Sequence, residues 1–125
     1  MITIDFEPKN ENVCNLEYLK EMTGGKKHLI KDIIDMFLSQ VPEELKSVNI
    51  AVENVDYASI KIYTHSMKST VSIMGISSLT AILRQMEDFA KKTSDIDKIV
   101  ELNLKLNSIC KQAIEEIEIE KQFYL

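Results

Sequence analysis

Residues 56–75, DYASIKIYTHSMKSTVSIMG, decide the fold. Ile60, Thr64, Met67, Val71 and Met74 recur in steps of three and four, the spacing of one face of an α-helix. Asp56 stands where a helix needs an N-cap, because its short carboxylate can accept from a free backbone N–H of the first turn. Gly75 follows the last residue of the stripe, where a helix is expected to stop. A helix with one apolar face requires neighbours, and the flanking sequence supplies them.

Towards the C-terminus, a helix is expected from about Ser77 to Lys92, with Leu79, Leu83, Met86 and Ala90 on its inner face. Thr93, Ser94 and Asp95 offer caps for a last helix carrying Ile96, Ile99, Leu102, Leu106, Ile109, Ala113 and Ile117. Towards the N-terminus, KKHLIKDIIDMFLSQVPEELKSVNIAVENV places Ile30, Ile33, Phe37, Val41, Leu45, Val48 and Val52 on one stripe. Pro42 lies inside that pattern, but the stripe keeps its phase across it, which favours one bent helix over two. A shorter helix is expected from about Val13 to Met22, closed by Thr23-Gly24-Gly25. Residues 1–12 read as a tail in which Ile2, Ile4 and Phe6 alternate with polar neighbours before Pro8. The expectation is an all-α fold: an antiparallel four-helix bundle with an additional short N-terminal helix, one domain over residues 1–125.

Composition agrees and excludes several alternatives. Three glycines and two prolines are too few for the many turns of an all-β fold, and 125 residues leave little material for a second core. A net charge of −5 argues against nucleic acid or an anionic membrane as the partner. There is no signal-like leader at the N-terminus and no apolar run of membrane-spanning length, so the expected location is the cytoplasm. Cys14 and Cys110 form no paired motif and read as free thiols. His28, beside Lys26 and Lys27, reads as a surface residue. Two distant histidines without a carboxylate or cysteine cluster make no metal site, and no phosphate-cradling loop for ATP is present.

The chemistry centres on His65. It follows the core position Thr64, which turns it about 100° off the buried stripe. It shares the outer face with Lys61, Lys68, Ser69 and Ser72. Lys68 lies three residues on, roughly 4.5 Å along the axis, where an ammonium can neutralise a phosphoryl group carried on the imidazole. On position alone the same residues also describe an ordinary solvated face.

The run His65-Ser66-Met67-Lys68, with Gly75 closing the helix, resembles the signature of histidine phosphotransfer domains, roughly H-x-L-K-G. Thr23-Gly24-Gly25, Phe37, Pro42 and Asp56 are similar in placement to the family's residues, and the likeness spans about Leu16 to Lys111. The resemblance implies that His65 is the phosphoacceptor and that Glu87, from the next helix, hydrogen-bonds its second ring nitrogen. It implies that Lys68 holds the phosphoryl oxygens and that Ser69, Ser72 and Lys61 face the docking partner. The family usually has glycine after the lysine, where this chain has Ser69. Met67 in place of leucine conserves volume.

The implied task is that of a phosphocarrier, not an enzyme and without autokinase activity. Such a domain accepts a phosphoryl group from one receiver domain and passes it to another, in hybrid sensor kinases and response regulators. Mg²⁺ would be held by the receiver, so no cofactor is expected here, and a monomer is the family's common state. The rival is a non-phosphorylated helical adaptor that binds receivers, and Ser69 is the residue that sustains it. A metal-binding bundle would need more inward-facing carboxylates or histidines than the stripes provide.

Overall fold

The computed structural model describes residues 12–125, and the alternating tail expected before Asn12 lies outside them. Five helices follow in order: α1 (Glu17–Thr23), α2 (Lys27–Glu53), α3 (Tyr57–Ser72), α4 (Ser77–Lys91) and α5 (Ile96–Lys121), ending in a 3₁₀ turn at Gln122–Tyr124. The four long helices pack α2 on α3, α3 on α4, α4 on α5 and α5 back on α2, which closes the bundle. The pairing of α3 with α4 is the most extensive. The short α1 packs on α2. No helix among the described residues is long and apolar enough to cross a membrane.

The expected stripes form the core. Ile60, Thr64, Met67, Val71 and Met74 are buried, as are Leu79, Leu83, Met86 and Ala90. Where two apolar residues adjoin, the packing chose between them: Ile34 is fully buried and Ile33 only half-buried, and Cys110 is buried ahead of Ile109. Leu45 and Ile96 are likewise half-buried, at the rim of the stripe. Helix α2 runs unbroken through Pro42, which is exposed, so its ring faces solvent and the apolar face on either side stays in register. Asp56 caps α3, accepting from the Ser59 backbone N–H at 3.1 Å. Asp95 caps α5 through the Lys98 N–H. Across the α2–α5 seam, Asn49 accepts from Asn103 and Asn107, each at 2.9 Å, which pins the register of the two longest helices.

One expectation needs correction. The first helix begins at Glu17, not near Val13. The backbone N–H groups of Val13 and Cys14 donate to the two oxygens of Glu116 at 2.8 and 3.0 Å, and that of Asn15 donates to the Met74 carbonyl at 3.0 Å. Residues 13–15 are therefore held as a strap between α5 and the α3–α4 turn. Cys14 and Cys110 are free. Burial, then the nearby Glu44 carboxylate, pushes the Cys110 thiol up to about 12, which keeps it protonated and unreactive.

The strap explains Gly75. Its φ of +62° favours glycine, and a Cβ there would run into the Asn15 carbonyl oxygen. Val55, at φ +51°, is a β-branched residue in a conformation that disfavours it, and its side chain is 47% exposed, so little packing holds it there. We expect Gly75→Ala to lower stability by roughly 1–3 kcal/mol and Val55→Asn to raise it by about 1 kcal/mol. Denaturant unfolding of the two variants beside the parent chain measures both signs.

Candidate functional site

Helices α3 and α4 lie side by side, and one carboxylate ties their outer edges together. Glu87 follows Met86 on α4 and is only 5% exposed. Its Oε2 lies 2.9 Å from His65 Nδ1 and its Oε1 lies 2.7 Å from Lys68 Nζ. Lys91, one turn further along α4, brings a second ammonium to 3.8 Å from Oε2. Three cationic or hydrogen-donating groups thus converge on one buried carboxylate.

The electrostatics follow from that geometry. Burial raises the pKa of Glu87, but the hydrogen bonds from Lys68 and His65, together with the charge of each, act in the opposite direction. The net effect holds the carboxyl below the usual glutamate value, so it is ionised at neutral pH. An ionised Oε2 is an acceptor only, so His65 donates through Nδ1–H, and in the neutral ring Nε2 carries the free lone pair. The His65 side chain is 69% exposed, which leaves Nε2 open to an incoming group. The arrangement supplies a tautomerically fixed, accessible ring nitrogen with an ammonium one helical turn away.

The residues named from sequence fall as follows. His65, Lys68 and Glu87 come together directly. Lys61, Ser69 and Ser72 share the exposed side of α3 with His65, and Ser72 Oγ donates to the Lys68 carbonyl at 2.7 Å. Glu87, next to the core residue Met86, is buried. The reason is its pairing with two donors from α3, which offsets the cost of removing the charge from water. The Lys68 ammonium is held on Glu87 Oε1 at 2.7 Å.

Three neighbours escaped the sequence reading. Lys91 lies four residues beyond Glu87, a spacing that could have flagged it. Ile62, three residues before His65, is a 59% exposed apolar side chain on the same helix. Arg84, one turn before Glu87 on α4, is exposed, and it borders a groove between α1 and the α3–α4 turn that Tyr18 and Ser72 also line. Among the described residues, no group of three or more His, Cys, Asp or Glu comes together as a metal site.

Comparison with known proteins places this geometry in context. No curated protein sequence matches the chain at a significant level. Among solved structures, it is similar to the crystal structure of histidine-containing phosphotransfer protein B from Pseudomonas aeruginosa PAO1. That likeness has a TM-score of 0.82 at 19% sequence identity, over 90% of this chain and 96% of the other, and it speaks to the fold. A family model described as the Hpt domain matches residues 32–118, a span that contains His65, Lys68, Glu87 and Lys91. The chain belongs to the Hpt domain family.

Proposed function

We propose that the protein is a phosphorelay intermediate that accepts a phosphoryl group on His65 Nε2 from a phospho-aspartyl receiver domain and delivers it to another receiver. The observation that carries this reading is the 2.9 Å contact between His65 Nδ1 and Glu87 Oε2, which commits one ring nitrogen and frees the other at the surface. In the transfer, the Nε2 lone pair forms the N–P bond as the acyl-phosphate O–P bond breaks, and the donor aspartate leaves as a carboxylate. The ring keeps its Nδ1 proton and becomes cationic, a charge that the buried Glu87 carboxylate is placed to offset.

Lys68 has two claimants in this scheme. Before transfer it is engaged by Glu87 at 2.7 Å. Once the ring is cationic, it competes for the same carboxylate, and the ammonium can turn towards the phosphoryl oxygens one turn away. Such a carrier performs no turnover of its own and uses no cofactor beyond the Mg²⁺ of the receiver. The partner class in this reading is the receiver domains of hybrid sensor kinases and response regulators, met by a monomer in the cytoplasm.

The primary experiment is incubation with phosphorylated receiver domains while following label onto the chain. The label is expected to be acid-labile and alkali-stable, as an N–P bond requires, and to vanish in His65→Gln. Label that survives in a folded His65→Gln protein would move the acceptor elsewhere.

Glu87 and Lys68 separate by mechanism. Glu87→Gln keeps the shape but removes the charge that offsets the phosphorylated ring. It is expected to slow transfer by on the order of 10²-fold, a rise of about 3 kcal/mol in the barrier. Lys68→Ala leaves the buried Glu87 with His65 and the more distant Lys91, so it is expected to slow transfer less but to lower the melting temperature. Single-turnover kinetics with thermal melts on each variant check the order.

Ser69 tests where an arriving receiver docks. It is exposed and one turn beyond His65, where an arriving receiver must bring its phosphorus to within roughly 3–3.5 Å of the nitrogen. Ser69→Gly is expected to keep or raise the transfer rate, and Ser69→Gln to block it in a helical protein. Equal rates across the three forms would place Ser69 outside the docking surface.

A further inference from the structure

An apolar groove lies open on the half of the bundle that does not carry His65. It follows the α2–α5 seam, has a volume of about 620 Å³, and is walled by Pro42, Leu45, Ile50 and Ile114. Pro42 is exposed and Ile50 is 49% exposed, so this apolar surface meets water unless another segment covers it. The asparagines that line it are already satisfied by one another: Asn107 Nδ2 donates to Asn49 Oδ1 at 2.9 Å, and Asn49 Nδ2 donates to Asn107 Oδ1 at 3.0 Å. Lys46 on α2 and Lys111 on α5 line the groove and are exposed, and Glu53 and Glu115 line it as well.

The strap sets where the chain arrives. The N–H of Asn15 is bonded to Met74 at the α3–α4 turn, and those of Val13 and Cys14 are bonded to Glu116 on α5. Followed from Asn15 back to Val13, the backbone therefore leaves that turn and comes onto α5. Glu116 and the groove residue Ile114 are two residues apart, about 200° round the helix, so the groove lies on the opposite flank of α5 from the strap. Eleven residues precede Asn12, MITIDFEPKNE. The stretch nearest the strap, EPKNE, is polar. At roughly 3.3 Å per residue it reaches about 16 Å, which is half the circumference of a helix about 10 Å across. Beyond it, Ile2, Ile4 and Phe6 alternate with Thr3 and Asp5. Laid along the groove, such a stretch turns its three apolar side chains to one side. Its span of roughly 13 Å fits the length of about 16 Å that α2 covers from Pro42 to Glu53.

We propose that residues 1–7 of the same molecule dock in the α2–α5 groove, with Ile2, Ile4 and Phe6 on its apolar wall and with Asp5 and Glu7 beside Lys46 and Lys111. Three observations converge on this occupant. The strap delivers the chain to the helix that forms one wall, the polar stretch is long enough to cross that helix, and the acidic residues between the apolar ones match the two lysines. The tether favours the chain's own segment over a second copy, because a short linker holds its end at an effective concentration on the order of millimolar. The segment then seals the α2–α5 seam, and without it the groove is an adhesive surface. This goes beyond the phosphorelay reading and does not depend on it, since no groove residue belongs to the site on α3 and α4.

The test uses the full chain throughout. A zero-length carbodiimide cross-linker joins a carboxylate to an amine only where the two touch. Peptide mapping of the monomeric product is expected to find Asp5 or Glu7 joined to Lys46 or Lys111. Mixing isotope-labelled and unlabelled chains separates joins within one chain from joins between two. Phe6→Ser is expected to cut the yield of these joins severalfold and to shift the amide resonances of residues 43–53 and 107–115 more than those of α3 and α4. Ile50→Glu, on the groove wall, is expected to lose the joins in the same way with Phe6 intact. Circular dichroism confirms that both variants keep the bundle. Joins found only between differently labelled chains assign the groove to a second copy and overturn docking within one molecule. Absence of joins to either lysine, or Phe6→Ser shifts that fall elsewhere, overturns docking in this groove. Joins that persist undiminished in both variants overturn the apolar packing. None of these readouts involves phosphate, so each outcome leaves the phosphorelay reading untouched.

Discussion

A single carboxylate with almost no access to water organises the site. Glu87 costs energy to bury, and the structure recovers that cost by bringing three partners to it from two helices. His65 and Lys68 reach it from α3, and Lys91 reaches it along α4. Because all of these groups must satisfy one pair of oxygens, the relative rotation and translation of α3 and α4 are constrained at the very point where the chemistry is proposed. The extensive packing of α3 on α4 supports that constraint.

The same interaction fixes the chemistry of the imidazole. A histidine on an open helical face can place its proton on either ring nitrogen. One bonded through Nδ1 to an ionised carboxylate has a single accessible nucleophilic nitrogen. The site therefore combines a buried acceptor, which needs protection from water, with an exposed nucleophile, which needs access to a partner. A four-helix bundle allows both, since adjacent residues such as Met86 and Glu87 lie near the seam while His65 projects from the neighbouring helix.

The remaining supports act at a distance. The strap of residues 13–15, tied to Glu116 and to the Met74 carbonyl, braces the α3–α4 turn in which Gly75 closes the helix that carries His65. The asparagine contacts between α2 and α5 hold the register of the far half. That half also carries the acidic excess, so the mechanical division of the bundle coincides with its division of charge.

Much of this was legible in the amino-acid order. Periodic apolar residues, Asp56, Asp95 and the glycines at 24, 25 and 75 define where helices run and stop, because those signals are local and act within one or two turns. The residues His65, Lys68 and Glu87 were identifiable from their types and spacing together with the family resemblance. Tertiary structure alone decided that Glu87 is buried and that Lys68 is held on it, because both depend on the rotation of one helix against another. It also chose Ile34 over Ile33 for the core, and it turned residues 13–15 from a helical turn into a strap. In each of these cases the deciding partner lies on another segment, and a pattern read along one segment carries no information about which donor or which surface will meet it.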